Sequence, residues 1–246
     1  MIEGGSSIRV FLFAHQDDEI FALPYILNAD KKLFIYLTNG VSLNSSKSKL
    51  LKRSSEAKAV FDRHLSGLNC EVAWWGLNLS VSEGELYKFV SKENISQIIE
   101  IIEQNDSRAL ELITTTFEGA HHDHDASAVI AREVGKALAV PVTEISTYPQ
   151  RFSKFYSFKV MKPQNKNERI IFSRGQALSL ALKLMMAYRS QKITWLGLAP
   201  ATISTYLFRK YYSVIPIEVA HLSHCFYETR GRSKQRDVLR NLYSPI

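Results

Sequence analysis

Short apolar runs alternate with helical patterns over the first 146 residues. Ile8–Phe13, Leu33–Leu37, Glu71–Trp75, Leu110–Thr114 and Val140–Ile145 each read as a buried strand. Between them the 3.6-residue pattern predicts helices over Asp18–Asn28, Ser48–Leu65, residues 87–104 and Asp125–Leu138. In the third of these, Phe89, Ile95, Ile98, Ile99 and Ile102 share one side. Strands alternating with helices predict an α/β fold: a Rossmann-like parallel sheet with helices on both faces. After Tyr148 the alternation stops. Arg151–Phe158 reads as a half-exposed strand, Lys162–Arg169 as a charged turn, and Ile170–Phe172 as a returning hairpin partner. Gln176–Ser190 and Ala199–Tyr211 read as helices, the second with Pro200 at its start, and the remainder as irregular. The expected organisation is a catalytic core over residues 1–148 and a C-terminal α+β extension over 149–246, packed as one domain.

Composition narrows the class. The chain has 246 residues, 46% hydrophobic and 22% charged, which excludes a mainly disordered, collagen-like or coiled-coil protein. Two cysteines, Cys70 and Cys225, imply no disulfide framework. No apolar stretch approaches the ~20 residues that span a bilayer, and Met1–Ser7 is polar. A cytoplasmic location is expected, with peripheral membrane contact left open. The net charge of +7 hides a step along the chain. Residues 1–146 carry 14 Lys/Arg against 20 Asp/Glu, and residues 147–246 carry 17 against 4. Such a step points to an anionic partner for the C-terminal part, or to a solvated basic surface.

Two polar clusters carry the candidate chemistry. Ala14-His15-Gln16-Asp17-Asp18-Glu19 follows the first strand. Acids beside a buried strand each need a partner, and one helix cap would explain only one of them. Gly119-Ala120-His121-His122-Asp123-His124-Asp125 follows the fourth strand, with three of the chain's seven histidines in four positions. With strand order 3-2-1-4-5, both clusters fall at the topological switch point, where ligands bind in open α/β sheets. Two histidines and one carboxylate leave a position open, as in catalytic zinc sites. A second carboxylate can take a proton from water, and a further histidine can face an oxyanion. The chemistry suggested is metal-assisted hydrolysis of an amide or ester.

The same residues resemble the PIG-L/LmbE-type zinc-dependent N-acetylglucosaminyl de-N-acetylases. The family's Ala-His-Pro-Asp-Asp-Glu stands here as Ala14–Glu19 with Gln16 in place of Pro. Its His-Pro-Asp-His stands as His121–His124 with His122 in place of Pro. Supporting matches are Thr38-Asn39-Gly40, Arg53-x-x-Glu56-x-x-x-Ala59, Gly84-x-Leu86 and Lys183–Gln191, so the resemblance covers about residues 8–191. It implies that His15, Asp18 and His124 ligate Zn²⁺ or another divalent ion. It implies Asp17 as general base, His121 as the group facing the oxyanion, Asp123 as its orienting partner and Arg53 as a substrate contact. Glu56 would fix local structure. The substrate implied is an N-acetylated amino sugar, free or linked to phosphate, nucleotide or lipid.

Rival readings are a phosphohydrolase using Asp17 and Asp18 for two ions, an inactive metal-retaining relative, and a non-enzymatic protein binding nucleic acid or another anion. The first lacks a second carboxylate-rich loop, and the last lacks a reader motif, so no specific nucleic acid is expected. Weaker candidates are His221-x-x-His224, His64 at a helix end, Trp74 and Trp75 as a sugar wall or core, and Tyr227–Arg232 at the substrate mouth. The basic stretches Arg151–Arg174 and Arg230–Arg240 are expected to form a positive rim favouring an anionic conjugate.

Overall fold

The computed structural model describes residues 8–105, 109–147, 161–162 and 165–216. Arg151–Phe158, His221, His224, Tyr227–Arg232 and Arg230–Arg240 lie outside the described residues.

The apolar runs form a seven-stranded sheet of order β3-β2-β1-β4-β5-β7-β6. Its strands are β1 (Ile8–Phe13), β2 (Lys31–Tyr36), β3 (Cys70–Ala73), β4 (Ala109–Thr115), β5 (Val142–Ile145), β6 (Lys166–Ile170) and β7 (Tyr211–Val214). The first five are parallel to one another, and β7 and β6 add antiparallel pairs beyond β5. The expected order 3-2-1-4-5 is the order found, with β1 and β4 adjacent. The helices are α1 (Glu19–Leu27), α2 (Lys47–Val60), α3 (Trp75–Asn78), α4 (Lys92–Asn105), α5 (His122–Leu138), α6 (Arg174–Ala187) and α7 (Lys192–Phe208).

Each sheet face buries its own apolar layer. One layer joins Phe11, Phe13, Phe34 and Tyr36 to α1, α2, α6 and α7. The other joins Val10, Leu12, Leu33 and Ile35 to Trp75, α4 and α5. Strands covered on both sides read as unbroken apolar runs, which is why β1 and β2 stand out in the sequence.

Several boundaries differ from the sequence pattern. Trp75 opens α3 instead of ending β3; its ring is buried and its Nε1 donates to Gln97 Oε1 at 3.3 Å. Trp74 stacks on Tyr36 with ring centroids 5.1 Å apart. Both tryptophans are packing residues. The pattern over 87–104 splits into a 3₁₀ turn, Leu86–Phe89, and α4. The charged turn expected over Lys162–Arg169 overlaps strand β6, whose pairing partner is β7. Charged residues suit a sheet edge, where they discourage pairing with another chain, so charge alone misreads an edge strand as a turn. The helix expected from Ala199 begins at Lys192, and Pro200 lies inside it on its exposed side.

The turn after β2 is fixed by close approach. A Cβ on Gly76 would lie 2.3 Å from the Leu37 carbonyl carbon and 2.4 Å from Thr38 N. Gly76→Ala must therefore displace the backbone that leads into Thr38-Asn39-Gly40, and should cost about 1–3 kcal/mol in urea unfolding. Gly67 has nothing within 4 Å of the same position, so Gly67→Ala should be neutral or stabilising by up to about 1 kcal/mol.

Candidate metal centre and active site

Both polar clusters sit where strands end. The loop after β1 turns at His15–Asp18, and the Asp18 carboxylate accepts the His15 backbone N–H at 2.8 Å. The loop after β4 ends in α5, whose N-cap is His121. The His121 backbone is extended, and its Nδ1 accepts from Asp123 N at 3.3 Å. His122 is thus the first helical residue, where the chain's N–H needs no helical partner. That is the position a proline favours, so His122 occupies the family's Pro place without disturbing the helix start. Gln16 replaces the other proline and does a different job: its Nε2 donates to Thr38 O at 2.6 Å, tying the end of β1 to the end of β2.

Three of the predicted residues converge. His15 Nδ1 lies 3.6 Å from Asp18 Oδ2 and 3.3 Å from His124 Nε2. His124 Nε2 lies 3.2 Å from Asp18 Oδ1. These atoms form a possible metal-holding group within 4.8 Å of one another, and all three residues are buried. The back of each imidazole is anchored. His15 Nε2 donates to Asp123 Oδ2 at 3.0 Å. His124 Nδ1 donates to Thr147 Oγ1 at 3.0 Å, and that hydroxyl donates to Glu118 Oε2 at 3.3 Å. The other ring nitrogens, His15 Nδ1 and His124 Nε2, therefore face Asp18, an orientation of the kind that outer partners impose on metal-ligating histidines. Two imidazoles and one carboxylate form a donor set that fits a divalent ion such as zinc.

The electrostatics agree with that donor set. Burial alone would lower the His15 pKa, but Asp123 and Asp18 outweigh it and raise it well above its ordinary value. Burial alone would raise Asp18 and Asp123, yet the surrounding histidines hold both well below the usual carboxylate range. The acids at this point draw positive charge. Burial pushes Asp17 up from its ordinary value, with Arg53 opposing the shift. Burial also pushes Glu19 up to about 8, although Tyr188 donates to it. His121 is pushed well below its ordinary value by burial and then by the charges of His15 and His124.

Two predicted residues have other partners than expected. The Asp123 carboxylate holds His15 and accepts Gly84 N at 2.6 Å and Leu86 N at 3.2 Å; it meets His121 through its backbone N–H. Arg53 is 2% exposed. Its Nη2 reaches Asp17 Oδ1 at 3.0 Å and Gln16 O at 3.1 Å, its Nη1 reaches Ser190 Oγ at 3.2 Å, and Tyr188 covers its face. It borders the cleft but spends these hydrogen bonds on protein. Glu56 also fixes local structure: it accepts the Ser190 N–H at 2.9 Å.

A cleft of about 640 Å³ opens over His121. Gly40–Asn44, Glu83–Glu85, Ser190 and Gln191 also border it. Sequence reasoning missed Glu83, which with His15 and His121 forms a second group of possible ligands within 4.8 Å. The only signal was its place beside Gly84-x-Leu86. It also missed Glu118 and Thr147, which carry no motif and act from behind His124.

No family model matches the chain, and no curated protein matches it. Solved structures share the fold. A deacetylase triple mutant of the teicoplanin biosynthetic pathway is 16% identical with a TM-score of 0.60, over 87% of this chain and 100% of that one. N,N′-diacetylchitobiose deacetylase from Pyrococcus horikoshii, complexed with an inhibitor, is 13% identical with a TM-score of 0.58, over 91% and 89%. The 4-carboxy-2-hydroxymuconate hydratase GalB from Pseudomonas putida is 11% identical with a TM-score of 0.55, over 88% and 100%. At these identities the likeness establishes the α/β fold, and the hydratase makes clear that the fold alone does not select a reaction.

Thr147→Val removes the acceptor behind His124 while keeping the side chain's shape. It should weaken zinc binding about 10–100-fold in competition with a chromophoric chelator, and Thr147→Ser should restore most of the affinity. Equal affinity in all three proteins would remove Thr147 from this role.

Proposed function

We propose that the protein is a metal-dependent hydrolase that removes the N-acetyl group from an N-acetylated amino sugar. The observation that carries this reading is the convergence of His15, Asp18 and His124, with Asp17 and His121 beside them. The motif resemblance and the deacetylases among the structural neighbours support it.

A divalent ion held by the three residues supplies a Lewis acid for the acetamide carbonyl. Arg53 engages Asp17 Oδ1, so Oδ2 is the oxygen that takes the proton from the attacking water. The raised Asp17 pKa suits a group that must accept this proton and then return it to the leaving amine. His121 Nδ1 accepts the Asp123 N–H, so its neutral ring carries the proton on Nε2. That N–H donates to the oxyanion as it forms. Asp123 acts on the site twice, holding His15 through its carboxylate and setting the His121 tautomer through its backbone. Arg53 is a positioning residue for Asp17 on this reading.

The test is acetate release from N-acetylglucosamine and its conjugates, measured beside the metal content of the same samples. The protein should carry about one zinc or other divalent ion per chain and release acetate. His15→Ala and His124→Ala should each lose the metal. Asp17→Asn should keep the metal and lose about 10²–10⁴-fold in turnover. Metal retained in both histidine variants would overturn the site. Full activity in Asp17→Asn would remove the base. Water addition to an unsaturated acid without acetate release would favour hydratase chemistry.

A further inference from the structure

A second concave surface lies beside the cleft, between α2 and α6. It is a groove of about 800 Å³. Lys52 and Arg63 reach it from α2 and its continuation, Lys183 from α6, and Arg189 from the turn that follows; His64 stands among them. Val60, Ala59 and Ala187 give it an apolar floor.

Isolated surface lysines are ordinary, but these four cations converge from separate elements on one concavity. Among the described residues, no side-chain hydrogen bond or ion pair neutralises Lys52, Arg63, Lys183 or Arg189. The one acid in the groove wall is Glu56. It stands four residues after Lys52, the spacing that would pair them on a helix. Its carboxylate is committed elsewhere: 3.6 Å from Arg53 Nη1 and accepting the Ser190 N–H at 2.9 Å. Burial and then the charges of Lys183 and Arg63 lower the His64 pKa, so the cations crowd one another without an intervening acid.

The groove and the cleft share a wall. Glu56 and Arg189 line the groove, while Arg53, Ser190 and Gln191 line the cleft. The contact of Glu56 with Ser190 is the partition between them. The two concavities therefore adjoin at the Glu56–Ser190 contact.

We propose that this groove is an anion subsite that takes a phosphate group carried by the substrate, remote from the acetamide. This proposal rests on the deacetylase reading for the identity of the substrate but not for the binding of phosphate. Cations clustered around an apolar floor concentrate an anionic ligand, and the effect weakens as salt screens it.

The test has a binding arm and a kinetic arm. Phenyl phosphate is titrated calorimetrically at low salt into the full-length protein, into Arg63→Glu/Lys183→Glu, and into Lys92→Glu/Lys136→Glu. The last pair makes the same charge change on α4 and α5, against the opposite face of the sheet. Saturable binding that is lost only in the groove variant, and that survives His15→Ala, is the expected result. No saturable binding, equal loss in the control pair, or loss in His15→Ala would overturn the subsite. Should the charge-reversed protein not fold, Arg63→Gln/Lys183→Gln serves in its place. In the kinetic arm, N-acetylglucosamine is compared with N-acetylglucosaminyl phosphate esters of increasing length. The groove variant should raise KM about tenfold for a phosphate ester that spans the wall and leave the neutral sugar unchanged. Equal effects on both substrates would overturn the proposal. Acetate release from neither substrate by the wild-type protein would instead defeat the deacetylase reading, and the titration would still report on the groove. Free phosphate that fails to compete with the ester would likewise count against it.

Discussion

Burying carboxylates without losing the fold is the constraint on which this molecule turns. Asp17, Asp18 and Glu19 lie in succession at the end of β1, and Asp123 and Asp125 enter from the end of β4, all of them buried. An uncompensated carboxylate in such a place costs several kcal/mol, so each must find a cation, a proton or converging donors. The solutions differ residue by residue. Asp17 takes Arg53; Asp18 takes two imidazoles and a backbone N–H; Asp123 takes one imidazole and two backbone N–H groups. Asp125 Oδ1 accepts the N–H groups of Glu118 and Gly119. Glu19 meets two tyrosine hydroxyls, from Tyr36 and Tyr188, and burial favours its protonated form.

Those solutions recruit elements far apart in the chain and so explain much of its packing. Arg53 is carried by α2 and covered by Tyr188, the residue after α6. Tyr188 is also the donor to Glu19, which couples the last third of the chain to the first loop. Asp123 accepts from Gly84 and Leu86 and thereby holds the loop that brings Glu83 to the cleft. The acids at the centre are consequently the organisers of the surrounding loops. Rigid support of this kind is what a site needs if its polar groups are to keep a productive geometry.

The parallel core and the convergence of His15, Asp18 and His124 are legible because each leaves a local trace. Runs such as Ile8–Phe13 are apolar on both faces, and His15, Asp18 and His124 fall on loops that the strand order makes neighbours. What was illegible has no local trace. Glu118 and Thr147 act on His124 through a hydroxyl, and neither type nor spacing distinguishes them from any surface-loop pair. Asp123 and Arg53 were singled out by their motifs, but a motif does not say which neighbour a side chain will take. Asp123 sits one residue before His124 yet holds His15 across 108 positions, because α5 aims its first turn back over β1. The edge strand β6 and its neighbour β7 escape for a different reason. Strand β6 is charged and exposed, and β7, though mostly buried, is only four residues long, so neither shows the apolar run that marks the parallel strands.

The charge step along the sequence carries the same lesson in another form. Summed by position, the excess of basic residues falls in the last hundred and the excess of acidic ones in the first 146. Electrostatics, however, depends on distance in space. Two of the four groove cations, Lys52 and Arg63, come from the acidic half, and the acid best placed to neutralise Lys52 is withdrawn by Arg53 and Ser190. Arg53 in turn is held by Asp17. The need to compensate one buried carboxylate thus propagates outward: Asp17 fixes Arg53, Arg53 and Ser190 fix Glu56, and Glu56 leaves an unbalanced positive groove beside the cleft. A surface assembled in this way sets acidic loops beside a basic groove without any contiguous stretch of sequence encoding both.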